Sequence, residues 1–450
     1  MLKRTESWVC WLGVSASLLG CHAAARVEPD GPHAQREKQE RVRQSNASFD
    51  AALQRLAQHD RRGDWSTRSC QALSQRFLQV NQARRDAGVK AAPAATYNAG
   101  ISLQRCGLHR QAKAQFEDTV RLDSQFHPAR AQLVLYDYRA NHDLDHAISE
   151  LEGVIRAAKF QNVEALVSLA ALQMERGRSR ATKARQTDLE AAQRNLQRAL
   201  AIDDGYMPAY NQLAVLYLER ARAAASRSGS AAAHIGHLVV AGARRTRANQ
   251  QQLDLAALVA SQAMRKNPKY APIHNTAGLI QVALGDFNGA VSHFRTARQL
   301  DPKFVEAHLN YAAVNLSFRG FEEAMHGYRA VVRLRPDSYE AHLGLALALR
   351  GQIRSSKGTS LVAQAQRHLD RAKKIAPNRP EAYYNEAILT QEFKAKSSEK
   401  QAKPMLRRAL SLYEEFIARA ESRPRFSDAI QRSKQRQEDI KQMLAFMDGS

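Results

Sequence analysis

The chain has 450 residues, of which 67 are Lys or Arg and 44 are Asp or Glu, so its formal net charge is +23. Hydrophobic residues make up 44% and charged residues 25%, which is typical of a folded chain and excludes a largely disordered one. The low counts of Gly (22) and Pro (13) exclude collagen-like and Pro-rich architectures, and four Cys are too few for a disulfide scaffold. Ala and Leu are abundant, which predicts helix throughout. No segment beyond the N-terminus is apolar over the ~18 residues of a spanning helix, which excludes a multi-pass membrane protein.

Residues 1–20 have the pattern of a secretory signal peptide, with a basic start, an apolar run and a small residue before Cys21. The ending Leu-Leu-Gly-Cys resembles a bacterial lipobox, whose Cys receives diacylglycerol. The resemblance implies a mature chain that begins at lipidated Cys21; the alternative is an ordinary signal peptide, or a short anchor, with an incidental Cys. His22 follows instead of the Asp that retains such proteins in the inner membrane, which implies the outer membrane. Residues 21–48 contain few large apolar residues and predict a flexible tether.

An internal repeat runs through the chain. If Ala271 is position 1, small residues fall at positions 8 and 20, an aromatic residue at 24 and a Pro at 32, and similar residues recur 34 residues later. These positions hold Gly278, Ala290, Phe294 and Pro302, and then Ala312, Ala324, Tyr328 and Pro336. The pattern resembles the tetratricopeptide repeat (TPR), a pair of antiparallel helices in which small residues allow close approach and Pro helps to end the second helix.

The same frame extends in both directions. The clearest repeats cover 93–126, 207–270, 271–304, 305–338 and 339–379, with weaker copies from His127, Val163 and Pro380 and a degenerate one near 49–90. The predicted fold class is therefore an all-α, right-handed TPR solenoid of about eight or nine helix-turn-helix repeats over 49–425. A capping helix over 426–450 closes it, and an ordinary helical bundle is the alternative.

The repeat that starts at Met207 is about 30 residues longer than the frame. The excess lies near 222–251, contains no acidic residue and includes Arg244, Arg245 and Arg247. Insertions in solenoids map to one face and often contact partners, so these arginines are candidate contacts for an acidic partner or surface. A longer helix pair with a solvated loop is the alternative.

An amide recurs on the first helices of the repeats. Asn98, Asn310 and Asn385 hold position 6, and Asn211 and Asn275 hold position 5. In TPR proteins the first helices line the concave face that binds extended peptides, and an amide can both donate to and accept from a peptide backbone. The resemblance implies that these asparagines are candidate partner contacts; solvated polar positions are the alternative.

Position 2 of several repeats is acidic, in Glu164, Glu306, Glu340 and Glu381. TPR proteins that clamp a C-terminal carboxylate have basic residues there. This departure argues against a carboxylate clamp and predicts an inner groove that is partly acidic although the chain as a whole is basic.

No motif indicates catalysis or a cofactor: HExxH, GxSxG, P-loop and dinucleotide-binding patterns are all absent from the sequence. We therefore expect no enzyme, no cofactor and no metal. His274, His308 and His342 share position 4, but one repeat separates them by roughly 16–20 Å, too far to share one ion. Cys70 and Cys106 remain after processing, and an oxidising envelope would allow a disulfide between them, which the sequence leaves open.

A more specific resemblance lies in Leu253-Asp254-Leu255-Ala256 and in the run Asn-Pro-Lys-Tyr-Ala-Pro-Ile-His-Asn-Thr-Ala-Gly-Leu-Ile over 267–280. With the signal and the inserted repeat, these segments resemble the TPR lipoproteins of the adventurous gliding motility machinery. The resemblance implies a non-enzymatic scaffold on the periplasmic face of the outer membrane, within an envelope-spanning motility complex. Its partners would be other envelope motility or assembly proteins.

Two other functions stay open, a pilotin-like lipoprotein that assembles a pilus or secretion pore, and a regulator of a cell-wall enzyme. The positive net charge predicts contacts with an anionic envelope surface. Nucleic acid, the usual partner of a basic chain, is excluded by the expected export.

Overall fold

The computed structural model describes residues 32–62, 64–179, 182–227, 233–235, 238–240, 247–353, 359–396 and 399–449. Nearly all of these residues are helical, and two short strands form one antiparallel ribbon. The chain divides into two compact units, Met1–Leu216 and Tyr217–Ser450. Across the described ranges, every helix is too short or too polar to cross a membrane.

Unit 1 is built from consecutive helices joined by short turns. They are α1 Pro32–Arg62, α2 Thr67–Asp86, α3 Pro93–Gln104, α4 His109–Leu122, α5 His127–Asn141, α6 Leu144–Ala157, α7 Val163–Ser179 and α8 Thr182–Ile202. Helix α9, Met207–Arg227, contains the boundary between the units. Each helix packs on the next along the chain from α1 to α8, which is the arrangement of a helical solenoid.

Unit 2 continues with the strands β1 and β2, the helices α10 to α19 and two short irregular helical segments. They are β1 Ala233–Ile235, β2 Leu238–Val240, α10 Arg247–Lys266, α11 Ala271–Leu284, α12 Phe287–Leu300, α13 Val305–Ser317, α14 Phe321–Leu334, α15 Tyr339–Gly351, α16 Thr359–Ile375, α17 Glu381–Leu389, a π-helical segment Thr390–Lys394, α18 Glu399–Ala420, a 3₁₀ turn Pro424–Phe426 and α19 Ser427–Gly449. The first helices α11, α13, α15 and α17 also contact one another in sequence order, so they lie side by side along one face of the unit.

The repeat residues explain the packing within each pair. Phe294 on α12 is fully buried, and its ring lies against Gly278 on α11. A Cβ atom on Gly278 would lie 2.4 Å from that ring, so a larger residue at position 8 would require the ring to move. The turn between these helices uses Gly285 at φ 77°, a left-handed conformation that glycine adopts without strain.

The position-4 residues join one repeat to the next. His274 Nε2 contacts the carbonyl oxygen of Pro268 at 2.8 Å, and two further histidines and one tyrosine make the same contact six residues back along the chain. These pairs are His308 with Pro302, His342 with Pro336 and Tyr383 with Pro377, each at 3.0 Å. Because a carbonyl only accepts, Nε2 of each histidine must donate. The three histidines therefore have a packing role and do not form a ligand row.

The N-terminal helix differs from the sequence prediction. The chain is helical from Pro32 onwards, so the flexible tether predicted over 21–48 is wrong for that part, and the rest of it lies outside the described residues. Phe49 and Leu56 are buried, and the Phe49 ring packs edge-on against Phe77 at 5.7 Å. Few but regularly spaced apolar side chains bind this mostly polar helix to α2, and its average composition conceals them.

The insertion lengthens both helices of its repeat. Helices α9 and α10 have 21 and 20 residues, compared with 14 in α11 and α12. Strand β1 pairs antiparallel with β2 in a register that opposes Ala233 to Val240. The ribbon contacts the following first helices, β2 on α11 and β1 on α13, so part of the insertion reaches the face that these helices share.

Candidate functional site

The structure places three of the five candidate asparagines in the interior. Asn98, Asn275 and Asn310 are at most 8% exposed. Asn98 Nδ2 donates to its own helix at Ala94 O (2.8 Å), and Asn310 Nδ2 donates to Asn275 Oδ1 (2.8 Å). The second bond joins α13 to α11, so it links neighbouring repeats. These three amides are used in packing, which corrects their predicted role as open partner contacts.

The remaining predicted contact residues are less buried or lie outside the described residues. Asn211 is half-buried on α9 and takes part in an interaction of its own. Arg247 is exposed as the first residue of α10, whereas Arg244 and Arg245 lie outside the described residues, as does Cys21. Asn385 is half-buried on α17 and belongs to a larger polar cluster.

We call this group the terminal polar cluster; it consists of Arg350, Asn385, Gln391, Glu392 and Arg436. Arg350 Nη1 at the end of α15 donates to Asn385 Oδ1 at 3.0 Å. Arg436 Nη1 on α19 donates to Gln391 Oε1 (2.9 Å) and Glu392 Oε1 (2.8 Å). The repeat helices α15 and α17, the segment Thr390–Lys394 and the capping helix α19 thus contribute these side chains.

The π-helical segment Thr390–Lys394 provides two members of the cluster. A π turn contains one residue more than an α turn and is frequent at functional sites. Gln391 is buried and also accepts a hydrogen bond from the Tyr413 hydroxyl (2.8 Å) on α18. This buried bond fixes Gln391, so the acceptors for Arg436 are held in place before any partner arrives.

The two arginines of the terminal polar cluster differ in their electrostatic surroundings. Arg436 donates to Glu392 and thereby lowers the pKa of that carboxyl. Burial lowers the pKa of the Arg350 guanidinium, which is half-buried near Arg436. Within the part of the chain that the structure describes, Arg350 contacts an amide oxygen but no carboxylate. Arg350 is therefore a partly desolvated cation to which a carboxylate from a partner could bind.

A second polar network lies on the other side of α17. Glu386 is 5% exposed, forms an ion pair with Lys373 on α16 and accepts a hydrogen bond from Gln366 at 2.9 Å. Lys394 donates to Gln366 Oε1 at 2.5 Å, and burial lowers its pKa. This network holds α17 and its π segment against α16, so it orients the residues of the terminal polar cluster.

Three of the four position-2 glutamates form ion pairs with arginines, which reduces the negative charge expected for a partly acidic groove. Glu306 pairs with Arg335 at 3.5 Å, and Glu340 pairs with Arg379 at 2.5 Å. Glu381 pairs with Arg379 and Arg425, each at 3.2 Å, and Glu164 accepts from the Tyr97 hydroxyl at 3.2 Å. Arg335, Arg379 and Arg425 come after the second helices α14, α16 and α18 and supply the opposite charge, whereas Glu164 has a hydroxyl as its partner.

The structure also settles the arrangement of the two cysteines. Cys70 on α2 and Cys106, just beyond the end of α3, form a disulfide with their Cα atoms 6.3 Å apart.

Among the described residues, no group of His, Cys, Asp and Glu is arranged to hold a metal ion. The terminal polar cluster itself offers charged groups together with hydrogen-bond donors and acceptors.

Sequence reasoning missed Arg350, Gln391, Glu392 and Arg436. Arg350 falls at position 12 of its repeat and Gln391 at position 12 of the next, the last turn of the first helix. A comparison of that position between repeats could have found both residues. The contribution of Arg436 depends on the packing of α19 and has no comparable signal.

Comparison with known proteins supports the fold. No protein-family model and no curated protein matches the chain. A monomeric mutant of IFIT1 with Gppp-AAAA is similar at a TM-score of 0.50 and 15% identity, over 82% of this chain and 77% of that one. TTC0263, a thermophilic TPR protein of Thermus thermophilus, has 24% identity and a TM-score of 0.39, over 50% of this chain and 99% of its own.

The structure of pilF of Pseudomonas aeruginosa has 16% identity and a TM-score of 0.39, over 58% of this chain and 97% of its own. The predicted fold class is confirmed: the chain is an all-α solenoid of helical repeats.

Proposed function

We propose that the protein is a non-enzymatic protein–protein interaction scaffold, lipid-anchored at Cys21 on the periplasmic face of the outer membrane. We propose further that it is a subunit of an envelope-spanning gliding motility complex. The lipobox-like ending at Cys21 and the motility-like segments near 253–280 support the location and the complex. The disulfide between Cys70 and Cys106 is consistent with export, because disulfides persist in oxidising compartments.

The observation that carries the interaction role is the state of Arg350. A half-buried guanidinium that contacts only an amide oxygen can bind a carboxylate with less loss of hydration than an exposed one. Arg436 lies close enough to influence Arg350, and Asn385 supplies a polar neighbour. The site therefore suits an acidic side chain on an extended or helical segment of a partner protein.

The test is a crosslinked pull-down from membranes with four proteins: the intact chain, Cys21→Ala, Arg350→Gln and Arg432→Gln. Arg432 is the matched control, because it is exposed on α19 one turn before Arg436 and makes no ion pair in the described structure. We expect the intact chain and Arg432→Gln to capture motility subunits equally. Arg350→Gln should capture at least about tenfold less, since a hydrogen bond to a charged group contributes about 1.5–3 kcal/mol.

The other outcomes are also informative. Cys21→Ala should lose the outer-membrane fraction while it still binds partners in solution; membrane retention would contradict the lipid anchor. Capture of a secretin or a cell-wall enzyme in place of motility subunits would contradict the motility role. Equal losses for Arg350→Gln and Arg432→Gln would show that general charge, and not the terminal polar cluster, binds the partner.

A further inference from the structure

A basic groove lies at the other end of the chain, between the C-terminal half of α1 and the first turns of α2. Its volume is about 340 Å³, and its lining includes Arg55, His59, Ser66, Arg68, Ser69 and Arg76. Arg68 and Arg76 lie two turns apart on α2, and both belong to the residues that line the groove.

The positive charge of the groove is not neutralised by the carboxylates nearby. Asp60 accepts a bidentate pair of bonds from Arg105 (2.9 and 3.1 Å), and Asp64 contacts His59 Nδ1 at 2.6 Å. None of Arg55, Arg68 and Arg76 forms an ion pair in the described structure. The first turn of α2 contains no acidic residue, so its helix dipole adds further positive potential.

The walls of the groove are held in place. Ser66 and Ser69 form a reciprocal capping box at the start of α2. One turn further on, the disulfide from Cys70 to Cys106 binds α2 to the end of the following repeat helix. Arginines that border a fixed opening can be positioned for a ligand at lower entropic cost than arginines on a mobile surface.

The chemistry of the groove favours a phosphate group. Guanidinium groups bind phosphate through paired hydrogen bonds, and the three arginines exceed the negative charge of a phosphate ester, so the groove stays attractive to one. A volume of 340 Å³ lies at the lower end of the range for small-molecule sites, about 300–1,000 Å³, so it admits a headgroup but not a folded partner.

We propose that this groove binds the phosphate headgroup of an anionic lipid in the membrane to which the chain is attached. Pro32 follows Cys21 by eleven residues, which span at most about 40 Å when extended. Arg55 lies a further ~35 Å along α1, so the groove can reach the surface when α1 lies along it. The choice of a lipid rather than free phosphate as the ligand depends on the proposed lipid anchor. The observation that the groove is basic does not depend on that anchor.

The experiment measures sedimentation of the expected mature chain with phosphatidylglycerol vesicles and with phosphatidylcholine vesicles. All proteins begin at residue 21 and carry Cys21→Ala, so that neither the apolar signal segment nor an acyl chain contributes. One carries Arg55→Gln, Arg68→Gln and Arg76→Gln, and a matched control carries Arg110→Gln, Arg130→Gln and Arg194→Gln, which remove the same charge from unit 1 outside the groove. Each protein is also mixed with inorganic phosphate, and its thermal stability is measured, to test whether the groove binds a soluble phosphate.

We expect binding to phosphatidylglycerol that weakens about 100-fold in the groove variant, because each arginine near an anionic surface contributes about fivefold. The control variant should weaken less than about threefold, and phosphatidylcholine should bind none of the proteins. Equal losses in the groove and control variants would overturn the proposal. Arginine-dependent thermal stabilisation by inorganic phosphate without vesicle binding would overturn the membrane source.

Failure of this proposal can be separated from failure of the proposed function. Metabolic labelling with a fatty acid shows whether Cys21 is lipidated, independently of vesicle binding. A chain that is labelled in cells but does not bind vesicles would retain the anchor and lose the groove proposal.

Discussion

The regular repeats over 271–338 and the last repeats over 339–449 use the same helical pair for different purposes. In the regular repeats, position 7 is Ala277 or Tyr311, and the buried amides Asn275 and Asn310 bond to each other. In the last repeats, position 7 is first Leu345 and then Glu386, which belongs to a buried ionic network. The regular positions stabilise the fold, whereas the departures from them concentrate polar groups where a partner could bind.

The largest effect is expected where a regular position loses its packing. Phe294→Ala removes a fully buried ring that fills the space beside Gly278, and we expect a loss of about 4 kcal/mol in the free energy of unfolding. Urea unfolding measures it. Phe318→Ala is the control, because that side chain is 58% exposed, and its effect should be below about 1 kcal/mol. Similar losses at both positions would contradict the assigned packing.

The buried ion pair of the last repeats should respond in a different way. Glu386→Ala leaves the Lys373 ammonium without its buried partner, and we expect a loss of about 3 kcal/mol by the same measurement. The double change Glu386→Leu with Lys373→Met should recover most of that loss, because it also removes the unpaired charge. A double variant no more stable than Glu386→Ala would show that the network stabilises through more than this one pair.

A third prediction concerns the stability of the protein at low pH. His342 Nε2 donates to Pro336 O, so its Nδ1 must accept from His368 Nδ1 at 2.9 Å. Burial lowers the pKa of both rings, that of His368 to about 4. Nearby Arg329, Arg367 and Arg371 act in the same direction.

Because these pKa values lie below the ordinary value near 6.5, the unfolded chain takes up protons first as the pH falls. Stability should therefore be complete above about pH 6.5 and should decrease steadily down to about pH 4. Urea midpoints at several pH values measure the slope, which His368→Phe should reduce. His326→Phe, at an exposed position, should leave the slope unchanged. An equal slope in both variants would assign the acid sensitivity to other groups.

The smallest effect is expected from the amide pair of the regular repeats. Asn310→Ala removes one hydrogen bond and leaves Asn275 Oδ1 without that donor, so we expect a loss of about 1 kcal/mol. The same substitution should leave capture of a partner unchanged, since this amide is covered. A loss of capture with little change in stability would restore Asn310 as a partner contact.

A structural feature could be predicted from the sequence when the residues that determine it lie close together in the chain. The residue types at Gly278, Phe294 and Pro302 recur because the two helices of each repeat pack in the same way. Helices α11, α13 and α15 begin where the repeat frame begins. The part of α1 before residue 49 was missed because its sequence is mostly polar.

The terminal polar cluster was missed for a different reason. Arg350, Asn385 and Arg436 come from three helices, and their meeting depends on the orientation of α17 and α19. The groove arginines likewise become a set only when α1 and α2 pack together. Such groupings depend on tertiary geometry, which a single sequence does not display.

The π-helical segment Thr390–Lys394 has a consequence for how such a site could arise. A π turn contains one residue more than the α turn that it replaces, so the insertion of a single codon into an ordinary repeat helix is enough to create it. The extra residue turns the following side chains by about 100° around the helix axis. Evolution could thus convert a purely structural repeat into a binding repeat in one genetic event, and deletion of one residue in this segment would reverse it.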